Sequence, residues 1–321
     1  MKQILLIGAG QIGSRHLQAL ALSRHRYKIT VVDPSLASLN TARSRLEEIP
    51  NHIVTVSFSQ KMPVNGLFHL TIIATNANQR FGVYKQLQES NELLAVIFEK
   101  VIFQSLEHID EVETLLATHK TKAWVNCARR SNAQYQHIRR LIKGHSPVTM
   151  SVSGNLFGLA CNGIHFLDLF AFLIGEHELD GLSQSFDLEY VKTKRQDCYE
   201  VFGEMEANIG ENKLNIYCSN KQEAQSVRLN IQTKNKRFVI DEVNQKMEQF
   251  ENNQNFGLPA EFKLQPQSKM THTIAYQIFT LGTCSLPTYA ESAKLHRHYI
   301  RAFTDYFETV SPGKFTLCPI S

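Results

Sequence analysis

The chain has 321 residues, of which 43% are hydrophobic and 20% charged, with a formal charge of +4. Length alone suggests about two domains, and the apolar fraction suffices for large cores and excludes a disordered chain. Lys and Arg are spread along the sequence rather than clustered, so no nucleic-acid partner is expected.

Six cysteines (Cys127, Cys161, Cys198, Cys218, Cys284 and Cys318) lie far apart with no CxxC pair. That spacing suits neither a metal site nor a disulfide framework, and a reducing cytoplasm is the simpler expectation. The opening run Ile4-Leu5-Leu6-Ile7 breaks at Gly8 and Gly10, too early for a signal peptide. No stretch has the length needed to cross a bilayer, so no membrane partner is expected.

The first 127 residues alternate short β-rich runs with helical patterns. Strands are predicted at Gln3–Ile7, Lys28–Val32, Ile53–Phe58, His69–Thr75, Leu93–Phe98 and Ala123–Cys127. Helices are predicted between them at Ile12–Leu22, Ser35–Glu48, Gln79–Glu89 and Leu106–Thr118. This alternation marks parallel βαβ units, a doubly wound α/β domain of Rossmann type over residues 1–127.

A further helix is expected near Gln134–Lys143. From about Val148 to Phe279 alternating β patterns dominate, as in Glu200–Ala207, Lys213–Cys218, Ser226–Thr233 and Arg237–Asp241, with a loop at Glu251–Asn255. Residues 128–321 therefore read as an α+β domain with a largely antiparallel sheet, one face packed. A last helix near Ser292–Phe307 places Leu295, Tyr299, Ala302 and Tyr306 on one face.

Gly8-Ala9-Gly10-Gln11-Ile12-Gly13 is a G-x-G-x-x-G that follows an apolar strand and opens a helix, and Asp33 ends the next strand twenty residues on. In that context the pattern points to a dinucleotide. Gly8 permits the tight turn, Gly10 lets the backbone approach a pyrophosphate, and Gly13 allows close helix–strand packing. The N–H groups of Gln11 and Ile12 open the helix and favour phosphate. Asp33 suits the adenosine ribose hydroxyls and repels a 2′-phosphate, so NAD is expected over NADP. The blander readings are a mere tight turn and an incidental strand-end acid.

Ligands in an open α/β sheet lie beyond the carboxyl ends of the strands. Thr75 and Asn76 end the fourth strand there, and Glu99-Lys100 follows the apolar fifth. In the second half, Cys161–Ile174 is apolar almost all round, with Cys161, His165 and Asp168 recurring at i, i+4 and i+7. A His and an Asp on a buried helix need a polar cavity or partners. The alternatives are a solvated pair at Glu99-Lys100 and a core histidine bonded to Asp168. His296 and His298 face different sides of the last helix, and no metal is expected.

On these residues, the glycine motif, the Ala74-Thr75-Asn76 run, Glu99-Lys100 and the helix Cys161–Asp168, the sequence resembles the Gfo/Idh/MocA oxidoreductases over nearly its whole length. The resemblance implies an NAD(P)-dependent enzyme acting on a sugar, cyclitol or derivative. It implies that Lys100 lies beside substrate and nicotinamide, and that Thr75, Asn76 and Glu99 lie at the cofactor. Val101 stands where the family has proline, so the loop is expected to lack proline's rigidity and possible cis bond. Cys161 stands where relatives carry an Asp paired with the histidine, which leaves His165 as the acid–base group.

Asn162-Gly163-Ile164-His165 is similar to a variant found in relatives that oxidise nucleotide-linked sugars for surface polysaccharides. Arg130 is a weaker candidate for an anion contact, by analogy with relatives, against a solvated helix-start charge. The expectation is a hydride-transferring sugar dehydrogenase with Lys100 and His165 catalytic, and with Arg130, Cys161, Asn162 and Asp168 at the substrate. The rival readings are a glycoside hydrolase that uses NAD transiently and a non-catalytic NAD(H) sensor. Relatives commonly associate through the second domain's sheet, which implies a homo-oligomer.

Overall fold

The computed structural model describes all residues except 222, 253 and 256–259. The chain forms two compact units. One gathers Met1–Phe103, Glu107–Asn126 and Gln265–Ala290; the other takes Gln104–Leu106, Cys127–Leu264 and Glu291–Ser321. Residues 265–290, which follow the second unit's sheet in the chain, are part of the first unit.

In the first unit, six strands form a fully parallel sheet: β1 (Lys2–Ile7), β2 (Tyr27–Val32), β3 (Thr55–Ser59), β4 (Leu70–Ile73), β5 (Ala95–Phe98) and β6 (Lys122–Val125). Their order is β3-β2-β1-β4-β5-β6, which reverses direction between β1 and β4, the arrangement that opens a crevice at the carboxyl edge. β4 and β5 are buried along their whole length, which is why their sequences, Thr71 apart, are apolar without alternation. Each such Val, Leu or Ile contributes about 1.5–3 kcal/mol by leaving water. Helices α1 (Gln11–Ala21), α2 (Leu36–Glu47), α3 (Ala77–Ser90) and α4 (Leu106–Thr118) make the crossovers.

Register fixes where the strand ends fall. Ile7 pairs with both Val32 and Ile73, Ile73 with Phe98, and Phe98 with Val125. Gly8, Asp33, Ala74, Glu99 and Asn126, each the next residue along its strand, therefore share one edge. The strand expected to run from Leu93 is interrupted: Glu92–Leu93 pairs separately with Leu67–Phe68, and Leu94 is exposed.

Residues Thr271–Leu281, expected within a β-dominated stretch, form helix α7. Their Thr, Ile, Tyr and Phe favour strands locally, but Ile274, Ala275 and Ile278 share a buried face at helical spacing, and tertiary packing overrides propensity. Gly282, at φ +70°, ends the helix with its N–H on the Ile278 carbonyl. Phe279 meets Tyr27 edge-on, with ring centroids 5.3 Å apart.

The second unit is built on a nine-stranded sheet whose longer members are β7 (Thr149–Asn155), β8 (Gly181–Lys192), β9 (Tyr199–Ile209), β10 (Asn212–Ser219), β11 (Arg228–Gln232), β12 (Lys236–Asp241) and β13 (Lys246–Glu251). Pairing is antiparallel except between β7 and β10. Alternate residues such as Leu214, Ile216, Leu229, Ile231, Phe238 and Ile240 are buried, and α6 (Leu159–Ile174) packs against β9 and β10. Helix α5 (Ala133–Ile142) precedes the sheet. The stretch expected as a loop at Glu251–Asn255 is in its described part a hairpin end, Glu251 pairing with Gln254; Asn253 lies outside the described residues. The last helix, α8, runs Tyr289–Val310, longer than its apolar pattern indicated, and buries Leu295, Tyr299 and Phe303. Among the described residues no helix is long and apolar enough to cross a membrane.

Candidate functional site

The glycine turn has the shape its spacing predicts. Gly8 sits at φ +90°, and a Cβ there would lie 2.9 Å from the Ala74 carbonyl group. A Cβ on Gly13 would lie 1.7 Å from the Gly8 carbonyl oxygen. A Cβ on Gly10 would meet nothing within 4 Å. Two glycines are thus demanded by packing, and the third leaves an open approach to the backbone. Among the described residues no side chain caps the start of α1, and its first turn has no acidic residue. The leading N–H groups, at Gln11 and Ile12, therefore face the same opening with the positive end of the helix dipole.

Asp33 closes the turn from the side. Its Oδ2 accepts the Ala9 N–H at 2.7 Å and its Oδ1 the Ser35 N–H at 2.8 Å. A carboxylate has about four lone-pair sites, so both oxygens can still accept ribose hydroxyls. Arg45 reaches back to Gln11, donating to its carbonyl at 2.8 Å and to its Oε1 at 2.5 Å. Across the turn, the buried Oγ1 of Thr75 has no partner among the described residues, while Asn76 starts α3 and is exposed. An open backbone cradle, an uncapped helix start and an unmatched hydroxyl fit a dinucleotide's phosphates and ribose.

Lys100 is half-buried at the same edge, and the residues before and after it are fixed from below. Arg80, 2% exposed, donates to the main-chain oxygens of Thr75 at 2.6 Å, Glu99 at 2.8 Å, Ile102 at 3.0 Å and also Val101. One buried guanidinium thus ties the ends of β4 and β5 together. The peptide between Lys100 and Val101 is cis, contrary to the expectation drawn from valine in the proline position. The loop is held without proline, by Arg80 and by the complete burial of Val101, Ile102 and Phe103.

Glu99, expected at the cofactor, directs its carboxylate into a buried network. Its Oε1 accepts from His16 Nε2 at 2.9 Å and from Asn126 Nδ2 at 2.5 Å. Asn126 also donates to Gln267 Oε1 at 2.9 Å, which makes the Gln267 amide nitrogen the donor to Thr271 Oγ1 at 2.9 Å and His16 Nδ1 at 3.3 Å. Burial pushes the Glu99 carboxyl up, but His16, the Asn126 amide and nearby Lys100 outweigh it and hold the group below its ordinary value. Sequence reasoning missed His16, Asn126, Gln267 and Arg80. The available signals were a polar residue on the buried stripe of α1 and an Asn ending the sixth strand.

In the second unit, Cys161, Asn162 and His165 are the half-exposed residues at the start of α6. Asp168, predicted on the same stripe, is fully buried. Its Oδ1 accepts from Arg130 Nη1 at 3.3 Å, and its Oδ2 has no hydrogen-bond partner among the described residues, so Asp168 does not orient His165. Burial dominates and raises the Asp168 carboxyl to about 7 despite Arg130. Arg130, itself buried, lies over the Phe172 ring and 3.7 Å from Glu291. Arg129 makes two bonds to Glu242 at 3.0 and 3.1 Å. The structure therefore joins Arg130 and Asp168 to each other and leaves Cys161, Asn162 and His165 accessible.

Glu200 was also missed; its carboxylate accepts the N–H groups of Ala160 and Cys161 and caps α6. Gly163 has a packing reason: a Cβ there would lie 2.7 Å from the Tyr299 hydroxyl, which donates to the Leu159 carbonyl at 2.6 Å.

Residues 2–127 match the family model described as oxidoreductase family, NAD-binding Rossmann fold, the Gfo/Idh/MocA family. No protein of curated function matches the chain in sequence. Solved structures share its fold along almost the whole length. One is a UDP-N-acetylglucosamine 3-dehydrogenase from Acidithiobacillus ferrooxidans, 11% identical, covering 94% of this chain and 96% of that one, with a TM-score of 0.70. A second is an oxidoreductase from Agrobacterium radiobacter in complex with NAD+, L-tartaric acid and magnesium, 12% identical, covering 96% and 97%, with a TM-score of 0.71. A third is a dehydrogenase from Clostridium difficile, 13% identical, covering 95% and 99%, with a TM-score of 0.69. At these identities the likeness establishes the fold.

Proposed function

Because residues 2–127 belong to the Gfo/Idh/MocA oxidoreductase family as its NAD-binding Rossmann domain, we propose that the chain transfers a hydride between NAD(H) and a secondary alcohol carbon of a sugar, specifically a nucleotide-linked sugar. The observation that carries the reading is Lys100, a cation set at the carboxyl edge of the sheet by Arg80 below it and by the anchored Glu99 beside it. The fold shared with a UDP-N-acetylglucosamine 3-dehydrogenase supports the choice of substrate class.

Bound NAD supplies the hydride acceptor, and the protein's task is to place the alcohol and manage its proton. Gly10 and the start of α1 would hold the pyrophosphate, with Thr75 and Asn76 beside it. Asp33 takes the ribose hydroxyls and disfavours a 2′-phosphate, hence NAD over NADP. Lys100 donates a hydrogen bond to the substrate oxygen and stabilises the negative charge that develops there as the hydroxyl proton leaves. His165 accepts that proton, the role suited to an imidazole near neutral pH, and Cys161 and Asn162 line the same stretch of α6.

The test is turnover of NAD with a panel of free, phosphorylated and nucleotide-linked sugars, alongside NADH titration by fluorescence. Lys100→Met and His165→Asn should each lower kcat by about 10²–10⁴-fold with NADH affinity unchanged. Wild-type turnover in either variant removes that residue from the mechanism. Tight NADH binding without turnover across the panel would replace the enzyme by a dinucleotide sensor.

A further inference from the structure

We propose that a cavity of about 360 Å3 beside the start of α6 is an anion subsite that holds a phosphate or diphosphate group. The identity of its occupant, the anionic part of the substrate, rests on the sugar-oxidising reading above; the subsite itself rests on the geometry that follows.

Among the described residues three cationic side chains line the cavity, Lys192, Lys194 and Arg195, against one acidic side chain, Glu200. The acid is already engaged, one oxygen on the Ala160 N–H and the other on the Cys161 N–H. An arriving anion thus meets an excess of positive charge at the N-terminal end of a sixteen-residue helix.

Arg195 is built in rather than trailing in solvent. Its Nη1 donates to the Ser321 main-chain oxygen at 2.8 Å and to Ser321 Oγ at 3.1 Å, and lies 3.4 Å from Cys161 Sγ. All of its guanidinium contacts among the described residues run through Nη1, so the edge formed by Nε and Nη2 is not engaged by them. That edge is the fork that binds phosphate oxygens in pairs. The loop carrying it is braced too: Thr193 Oγ1 accepts the Arg195 N–H at 3.1 Å, and the Thr193 N–H meets the Cys198 carbonyl at 2.9 Å. Anchoring the other end of the guanidinium lowers the ordering cost of binding.

Position links the cavity to chemistry. Cys161, on its wall, is one helical turn before His165, roughly 6 Å along the same helix face. A sugar ring spans about one helical turn, near the 5.4 Å pitch, so an anion in the cavity would leave the ring beside the imidazole. Four apolar or weakly polar wall residues, Leu156, Phe157, Val191 and Phe202, suit the carbon faces of such a ligand.

The experiment is calorimetric titration with inorganic pyrophosphate and, separately, with UDP, at saturating NADH so that the glycine turn is not the binding site. Arg195→Gln should weaken pyrophosphate by about tenfold or more, a change of roughly 1.4 kcal/mol, with NADH affinity unchanged. Lys192→Gln with Lys194→Gln, both on exposed side chains, should weaken it too and guards against misfolding of the Arg195 variant. UDP binding tighter than pyrophosphate assigns the subsite to a nucleoside diphosphate; equal or weaker binding assigns it to a simpler phosphate ester. Pyrophosphate affinity equal in wild type and both variants, or absent from the wild type, overturns the proposal. If NADH itself fails to bind, the oxidoreductase reading falls, and the same comparison without NADH still decides the subsite.

Discussion

His16 Nε2 lies 2.9 Å from Glu99 Oε1, with the His16 side chain 1% exposed and that of Glu99 9%. This contact ties the helix that opens on the glycine turn to the residue that precedes Lys100. A buried carboxylate that loses a donor bears its desolvation cost uncompensated, so His16→Ala should destabilise the protein by about 1–3 kcal/mol. Glu99→Gln keeps the shape and one acceptor and should cost less. Because the folded Glu99 carboxyl lies below its ordinary value of 4.5, its stabilising contribution is present above that value and lost as pH falls through the folded one. Urea unfolding of both variants and the wild type at neutral and acidic pH measures this. An His16→Ala cost indistinguishable from zero would remove the network from any structural role.

Gly10 and Gly13 should respond in opposite ways to the same added methyl group. Gly13→Ala places a Cβ against the Gly8 carbonyl, which is backbone and cannot turn aside, so the variant should lose thermal stability and NADH binding together. Gly10→Ala meets nothing within 4 Å and should fold as the wild type does. Its methyl would occupy the approach to the pyrophosphate, however, and weaken NADH by about tenfold, roughly 1.4 kcal/mol. Melting curves and NADH titrations separate the two. Unchanged NADH affinity in Gly10→Ala would mean that the phosphates lie elsewhere.

These two sites also show what the sequence could and could not reveal. The glycine spacing is a local consequence of a strand, a turn and a helix, so Gly8, Gly10, Gly13 and Asp33 were legible from a few dozen residues. The network around Glu99 joins residues 16, 99, 126, 267 and 271, separations over which no periodicity carries information. Helix α7 was obscured for the related reason that its β-favouring residues are overruled by partners such as Tyr27, far away in the chain. On α6 the i, i+4, i+7 stripe was read correctly as a helix, but only packing could show that Asp168 turns to Arg130 while His165 and Cys161 stay accessible. Gly163, read as part of a motif, also makes room for Tyr299.

Asp168 makes the second unit's stability depend on pH near neutrality. Its folded value of about 7 stands above the ordinary 3.8 because burial outweighs the single bond from Arg130. Between those values the folded chain binds more protons than the unfolded one. The contribution is therefore fully present below the ordinary value and is lost as pH rises through about 7. Asp168→Asn removes the titration while keeping the shape, so denaturation midpoints measured from about pH 5 to about pH 8 should fall less steeply in the variant. Equal slopes would show that Asp168 is already ionised in the folded state, its charge satisfied by Arg130.

Glu200 performs two tasks that a pair of substitutions can pull apart. As the cap of α6 it accepts the N–H groups of Ala160 and Cys161, and Glu200→Ala should cost about 0.5–2 kcal/mol in urea unfolding, the range for a lost helix cap. As the acidic side chain set among the cavity's cationic ones it also opposes any anion that enters. Glu200→Gln keeps an oxygen to accept a helix N–H and removes the negative charge, so it should stay close to wild-type stability and bind pyrophosphate more tightly. The two effects have opposite signs, and general damage to the fold cannot produce the second. Weaker pyrophosphate binding in Glu200→Gln would mean that the carboxylate shapes the cavity rather than competing with its ligand.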